Sequence, residues 1–126
     1  MHNIFYAYVV FRCAVSPAGD RIYVTNYFQH KLLTLATDGT VISSFTDPEL
    51  QGPRGVNVTP AGQVLVCGFD SNTVIQVDRE GRKKLATLDS QKYGAINPVS
   101  VCCNTHIHQI IVGLISNNKI IVMELQ

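Results

Sequence analysis

The chain has 126 residues, ten Lys plus Arg against nine Asp plus Glu, and a formal charge of +1. That length suits one domain-sized unit, and that balance gives no electrostatic pull toward nucleic acid or an anionic membrane surface. Apolar residues make up 46% and charged residues 15%, against roughly 25% charged in ordinary globular domains, so the chain reads as folded and heavily buried, and no apolar stretch reaches the roughly 18 residues of a spanning helix.

The first segment, Ile4 to Phe11 (IFYAYVVF), imitates the apolar part of a secretory signal, but His2 precedes it in place of a basic region and Arg12 follows it. Its aromatic and β-branched residues predict an extra strand or a divergent start within residues 1–12. Cys13, Cys67, Cys102 and Cys103 show no disulfide-framework spacing, which predicts reduced thiols and a cytoplasmic setting.

From Cys13 onward the chain repeats itself. Val15-Ser16-Pro17-Ala18-Gly19 returns as Val58-Thr59-Pro60-Ala61-Gly62, and Val56-Asn57-Val58 returns as Val99-Ser100-Val101, each displaced by 43 residues. The runs Arg21 to Val24, Val64 to Val66 and Ile110 to Val112 then align, and each is followed by a polar group before a new apolar stretch, at His30-Lys31, Ser71-Asn72-Thr73 and Asn117-Asn118-Lys119. The runs are short and alternating, which predicts strands and excludes helical repeats. In the first copy strands are expected over Lys31 to Ala36 and Val41 to Phe45, around an Asp38-Gly39 turn. In the second they are expected over Val56 to Val58, Gln63 to Phe69, Thr73 to Asp78 and Lys83 to Leu88, with Pro60-Ala61-Gly62 and Arg79-Glu80-Gly81 as turns. About 40–45 residues per four antiparallel strands describe one blade of a β-propeller.

The fold class is therefore all-β: a partial β-propeller of about three four-stranded antiparallel blades over residues 13–46, 53–88 and 97–125. A β-sandwich is the rival, and the fixed displacement favours blades. The third copy stops after its third strand, and Ile4 to Phe11 is the candidate to supply a fourth. Propellers close with about four to eight blades, so three leave two open faces, and further blades of a longer chain or self-association are expected.

Around Pro53 to Val77, the sequence GPRGVNVTPAGQVLVCGFDSNTVIQV is similar to an NHL repeat, with its Pro-x-Gly-hydrophobic start, Gly-bearing turn, strand and Asn-rich turn. The resemblance covers nearly residues 13 to 125. Departures are Asn26, Gly68 and Leu114 where an acidic residue is common, and Cys103-Asn104-Thr105-His106 in place of the third Pro-Ala-Gly turn. A WD40 pattern fits worse, because the chain has no Trp. The resemblance implies a non-catalytic scaffold like the C-terminal part of tripartite-motif proteins, where the propeller selects a protein or RNA partner and a RING domain recruits ubiquitin transfer. No Cys-x-x-Cys pair of a RING occurs here.

Residue chemistry points to no enzyme. There is no Gly-x-Ser-x-Gly elbow, phosphate loop or His-Glu-x-x-His motif, so no catalytic residue, metal or cofactor is assigned. Cys102, Cys103, His106 and His108 are zinc-type ligands, with both histidines expected on one strand face, yet the spacing is wrong for zinc, and small buried cysteines at a hairpin are the simpler reading. Asn26 and Asp70 alone cannot fill a calcium site of six to eight oxygens. Arg79, Arg82, Lys83 and Lys84 read as a solvated edge in preference to an RNA patch, and the glycosylation pattern Asn57-Val58-Thr59 falls within a strand.

Turns between second and third strands, and connections between blades, lie at one end of a propeller. They carry Tyr27, Phe28, His30, Arg54, Phe69, Asp70, Tyr93 and Asn117, types suited to recognition. The favoured function is protein recognition, with RNA binding second and a fragment of a metal-dependent lactonase or lyase third.

Overall fold

The computed structural model of the chain describes residues 10–115 and 119–124. Strands β1 (Val10–Val15), β2 (Ile22–Asn26), β3 (Lys31–Leu35) and β4 (Val41–Phe45) form one antiparallel sheet in chain order. Strands β5 (Pro53–Val58), β6 (Val64–Gly68), β7 (Thr73–Val77) and β8 (Lys84–Ser90) form a second of the same order. Strands β9 (Pro98–Asn104), β10 (Gln109–Leu114) and β11 (Ile120–Glu124) form a third, three-stranded among the described residues. One 3-10 turn, Gln91–Tyr93, sits in the connection to β9. The fold is all-β and is a partial β-propeller.

Alternation along each strand sends side chains to both faces of its sheet, and both faces of the middle sheet are covered. Every residue of β6 is buried. Tyr23, Leu32 and Phe45 of the first sheet meet Val56, Val64, Val66, Ile75 and Val77 of the second. The opposite face of the second sheet, with Leu65, Cys67 and Val74, meets Val101, Ile110, Val112 and Leu114 of the third. β1 packs along β5 and β5 along β9, so the first strand of each sheet faces the first strand of the next. Gly55 permits the second of these approaches: a Cβ there would stand 2.7 Å from Ser100 Cα and from the Val99 carbonyl oxygen.

Of the segment Ile4 to Phe11, Val10 and Phe11 open β1, with Val10 paired to Asn26; the remainder lies outside the described residues. One expectation needs correction. The third copy is displaced by 45 residues at its first strand and not 43: Pro53 pairs with Gly68 and Pro98 with Leu114, at the same corner of each sheet. The one-turn helix in the preceding connection takes up the extra residues. Since the difference is even, each side chain keeps its face. No helix of the described residues is long and apolar enough to cross a membrane.

Replacing Gly55 with Ala should lower stability by about 1–3 kcal/mol, read as a lower urea midpoint at unchanged slope; an unchanged midpoint would remove the close β5–β9 contact from the account. Burial pushes the Cys67 thiol up to about 12, while Cys13 and Cys102 are exposed. A thiol reagent should therefore label Cys13 and Cys102 in the native protein and reach Cys67 after denaturation, as peptide mass spectrometry would show.

Candidate functional site

The β2–β3 turn, the β6–β7 turn and the connections leading to β5 and β9 come together at one end of the sheets, and one joint is built there twice. His30 and Asn72 close the two turns in the left-handed region, at φ 58° and 54°. The Gly52 N–H donates to His30 Nδ1 at 2.8 Å, and the Asn97 N–H donates to Asn72 Oδ1 at 2.8 Å. In return the Phe69 N–H donates to the Gly52 carbonyl at 3.0 Å, and the Ile115 N–H to the Asn97 carbonyl at 3.3 Å. His30 thus ties one sheet to the next through an Nδ1 that accepts, as Asn72 does one sheet later.

On the first joint sits a cluster drawn from three chain segments. The Arg54 guanidinium lies over the Phe69 ring, 3.6 Å from its centroid, and 5.0 Å from the Tyr27 centroid. The Tyr27 hydroxyl donates to Asp70 Oδ1 at 3.0 Å. Phe28 meets Tyr27 edge-on at 5.1 Å and is 66% exposed. Gly52 lies beneath, at φ 57°, where a Cβ would come within 2.4 Å of Asp70 Oδ2. Arg54 occupies the place held by Phe11 in β1 and Val99 in β9, and so departs from the repeat.

Tyr27, Phe28, His30, Arg54, Phe69 and Asp70 are thereby brought together. Tyr93 falls in the Gln91–Tyr93 turn of the next connection, and Asn117 lies outside the described residues. Tyr27 packs toward the second sheet, whereas Phe28 faces solvent. An open hollow of about 290 Å³ adjoins the cluster, lined by His30, Thr46, Asp47, Pro48 and Gln51.

Beside this hollow, sequence reasoning missed a second polar assembly. The Glu49 carbonyl accepts from Ser71 Oγ at 2.8 Å and Thr73 Oγ1 at 2.5 Å. Its carboxylate accepts from Thr87 Oγ1 at 2.8 Å and from Lys84 Nζ, which also lies 3.4 Å from Asp47 Oδ1. The Lys84 bond holds the Glu49 carboxyl below its ordinary range, and Glu49 in turn raises Lys84. No local motif announces this set, since its members come from a connection and two strands. Asn26 turns inward to bond Gln29 and shape the β2–β3 turn.

The basic cluster is a solvated edge at Arg79, Arg82 and Lys83 and departs from that expectation at Lys84. Lys84 is half-buried in the assembly above, and Arg79 reaches across sheets to Asp20 at 2.7 Å while its carbonyl accepts from the buried Tyr23 hydroxyl at 2.6 Å. Ser16 and Arg79 hold the Asp20 carboxyl below its usual range. Arg82 and Lys83 are exposed. His106 and His108 do not share a strand face, because residues 105–108 form the β9–β10 turn, with His108 at φ 52°. Among the described residues no three of His, Cys, Asp and Glu converge as metal donors.

No protein-family model and no curated protein matches the sequence. Solved structures do share its fold. A chain of hydrazine synthase from Kuenenia stuttgartiensis is 18% identical, with TM-score 0.78 over 91% of this chain and 32% of its own. Virginiamycin B lyase from Staphylococcus aureus is 13% identical, with TM-score 0.63 over 93% of this chain and 41% of its own. A streptogramin B lyase is 14% identical, with TM-score 0.65 over 92% and 40%. This chain thus spans about a third to two fifths of the length of each. At such identities the likeness establishes the propeller-like fold, and NHL membership is not established by it. The expectation that the chain is not an enzyme is overturned, because its neighbours in fold include enzymes. Contiguous motifs are a poor guide on this fold, because side chains that meet can come from separate sheets, as Tyr27 of the first and Arg54 and Asp70 of the second do.

His30→Asn should keep the joint, since Asn72 makes the same bond, while His30→Ala should cost about 1 kcal/mol; equal denaturation midpoints for the two variants would refute the joint. The Glu49 carboxylate contributes stability that is present above the 4.5 of an ordinary glutamate and is lost as pH falls through its lower folded value. Lys84→Met should therefore flatten the acid side of the stability curve, by no more than about 1 kcal/mol because the pair is partly exposed.

Proposed function

We propose that this chain is a section of a propeller enzyme of the lyase type, with its reacting end at the Arg54, Tyr27 and Asp70 cluster. The carrying observation is that Arg54 breaks an otherwise apolar repeat position and lies over the ring of Tyr27, which comes from the first sheet and whose hydroxyl bonds Asp70 of the second. The fold shared with two lyases supports the same reading.

The chemistry follows from the groups. Arg54, backed by Phe69 and Tyr27, offers planar donors to a carboxylate or ester carbonyl, and its positive charge stabilises the enolate that forms when a neighbouring C–H is deprotonated. Asp70 accepts that proton, with Tyr27 orienting the carboxylate. The electron pair then moves to expel the leaving group, which completes an elimination.

A second reading rests on Phe28. Its exposed ring beside Tyr27 suits a protein partner, as the NHL resemblance to tripartite-motif proteins implies, with a cytoplasmic role in substrate recognition for ubiquitination. RNA is less favoured, since Arg79 and Lys84 are engaged in ion pairs.

Incubating the chain with virginiamycin B and with a panel of simple lactones, followed by mass spectrometry, tests the main reading. Consumption of either substrate is expected, with Arg54→Ala losing about 100-fold or more in kcat/KM at unchanged circular dichroism. No consumption, or turnover indifferent to Arg54 and Asp70, would defeat it. Under the second reading, Phe28→Ser would weaken partner capture and leave turnover intact.

A further inference from the structure

The two sheet-to-sheet joints share one geometry and differ in one atom. In each, a turn residue at positive φ faces a connection residue at positive φ, His30 with Gly52 and Asn72 with Asn97. In each, the turn side chain accepts the connection N–H at 2.8 Å, and the connection carbonyl accepts in return from Phe69 or Ile115. The second joint accepts through an amide oxygen, which takes up no proton in the ordinary pH range. The first accepts through imidazole Nδ1, an atom that either receives a hydrogen bond or carries a proton, and never both at once.

We propose that His30 is a proton-operated latch, closed on Gly52 while Nδ1 is bare and released when a proton binds there, so that the first sheet loosens from the second at the candidate site while the second stays tied to the third. A proton on Nδ1 would set one N–H against the Gly52 N–H, donor against donor, and leave that contact with no acceptor. The released ring has somewhere to go. His30 is half-buried at the edge of the open hollow of about 290 Å³, and Asp47 on the wall of that hollow offers a carboxylate to the imidazolium.

The charged groups around the latch come from every segment that packs there. Asp47 accepts the Glu49 N–H at 2.9 Å and lies 3.4 Å from Lys84 Nζ. Asp70, bonded by the Tyr27 hydroxyl, stands beside Gly52, Arg54 follows two residues later, and Lys31 adjoins His30 at the start of β3. Imidazole is the side chain whose charge changes between about pH 5 and 8, so a transition in that window reports His30 among these groups. The path from latch to cluster is short. The Gly52 carbonyl holds the Phe69 N–H at 3.0 Å, and the Phe69 ring backs the Arg54 guanidinium. Release of Gly52 therefore loosens the platform on which Arg54 rests. The inference rests on the joint and is independent of the chemistry proposed for the cluster.

Amide hydrogen exchange followed by NMR on the full chain tests the latch, with each rate expressed as protection relative to an unstructured amide at the same pH. Between about pH 8 and about pH 5, protection of Gly52 and Phe69 should fall about fivefold or more, the equivalent of one lost hydrogen bond, while Asn97 and Ile115 keep theirs. In His30→Asn, Gly52 should stay protected across the whole range. Imidazole nitrogen shifts should show the His30 proton on Nε2 at the alkaline end. A proton on Nδ1 there, equal Gly52 protection at both ends, or a loss shared by Asn97 would overturn the proposal, as would a pH dependence that survives in His30→Asn. The tautomer and the protection are both read on the unaltered chain, so the outcome stands even where the variant fails to fold.

Discussion

A twisted four-stranded sheet with apolar side chains on both faces cannot stand alone in water, and each sheet here is stabilised by the next. Residues such as Leu32 and Val74 vanish from solvent because another sheet lies over them, and not because of anything within their own hairpin. Burying each such side chain is worth about 1.5–3 kcal/mol, so stability is carried chiefly between repeats, as expected of stacked architectures.

That constraint also builds the end that carries the candidate site. Stacking two sheets at fixed spacing obliges the turn of one to meet the entry of the next, and the His30–Gly52 and Asn72–Asn97 joints are the polar closure of that meeting. The joint frees the residues around it from structural duty. Arg54 can replace an apolar residue because Phe69 and Tyr27 cover its guanidinium, and Asp70 can stay in solvent because Tyr27 restrains it. At the opposite end the turns are held by Asp20, Arg79 and Tyr23, which leaves a small cleft of about 140 Å³ between the Pro17 and Pro60 turns. The two ends thus differ in kind: one is tied by ion pair and phenol, the other stacks a half-buried cation on aromatic rings beside an exposed carboxylate.

Much of the fold was legible because the period-2 alternation at Val64, Val66 and Ile75, Val77 and the recurring Pro-Ala-Gly turns are local features, and local features survive without tertiary information. The third copy was harder. Its first strand was aligned two residues early because the connecting segment 91–97 contains a helical turn that no apolar pattern marks. Alternating residues alone suggest a strand through His106 and His108, whereas the chain turns there with His108 at positive φ.

Residue order alone determined that the chain is all-β, that it is built of repeated antiparallel units, and which side chains crowd the turns at one end, since periodicity and turn chemistry are properties of neighbours in sequence. Tertiary structure decided which of those side chains act on one another. Arg54 against Phe69, Tyr27 with Asp70, and Lys84 with Glu49 each join different segments, so their charges and hydrogen bonds are set by how sheets stack. That distance between partners in the chain, and their closeness in space, is the physical reason no contiguous motif marks the place where the fold gathers these side chains.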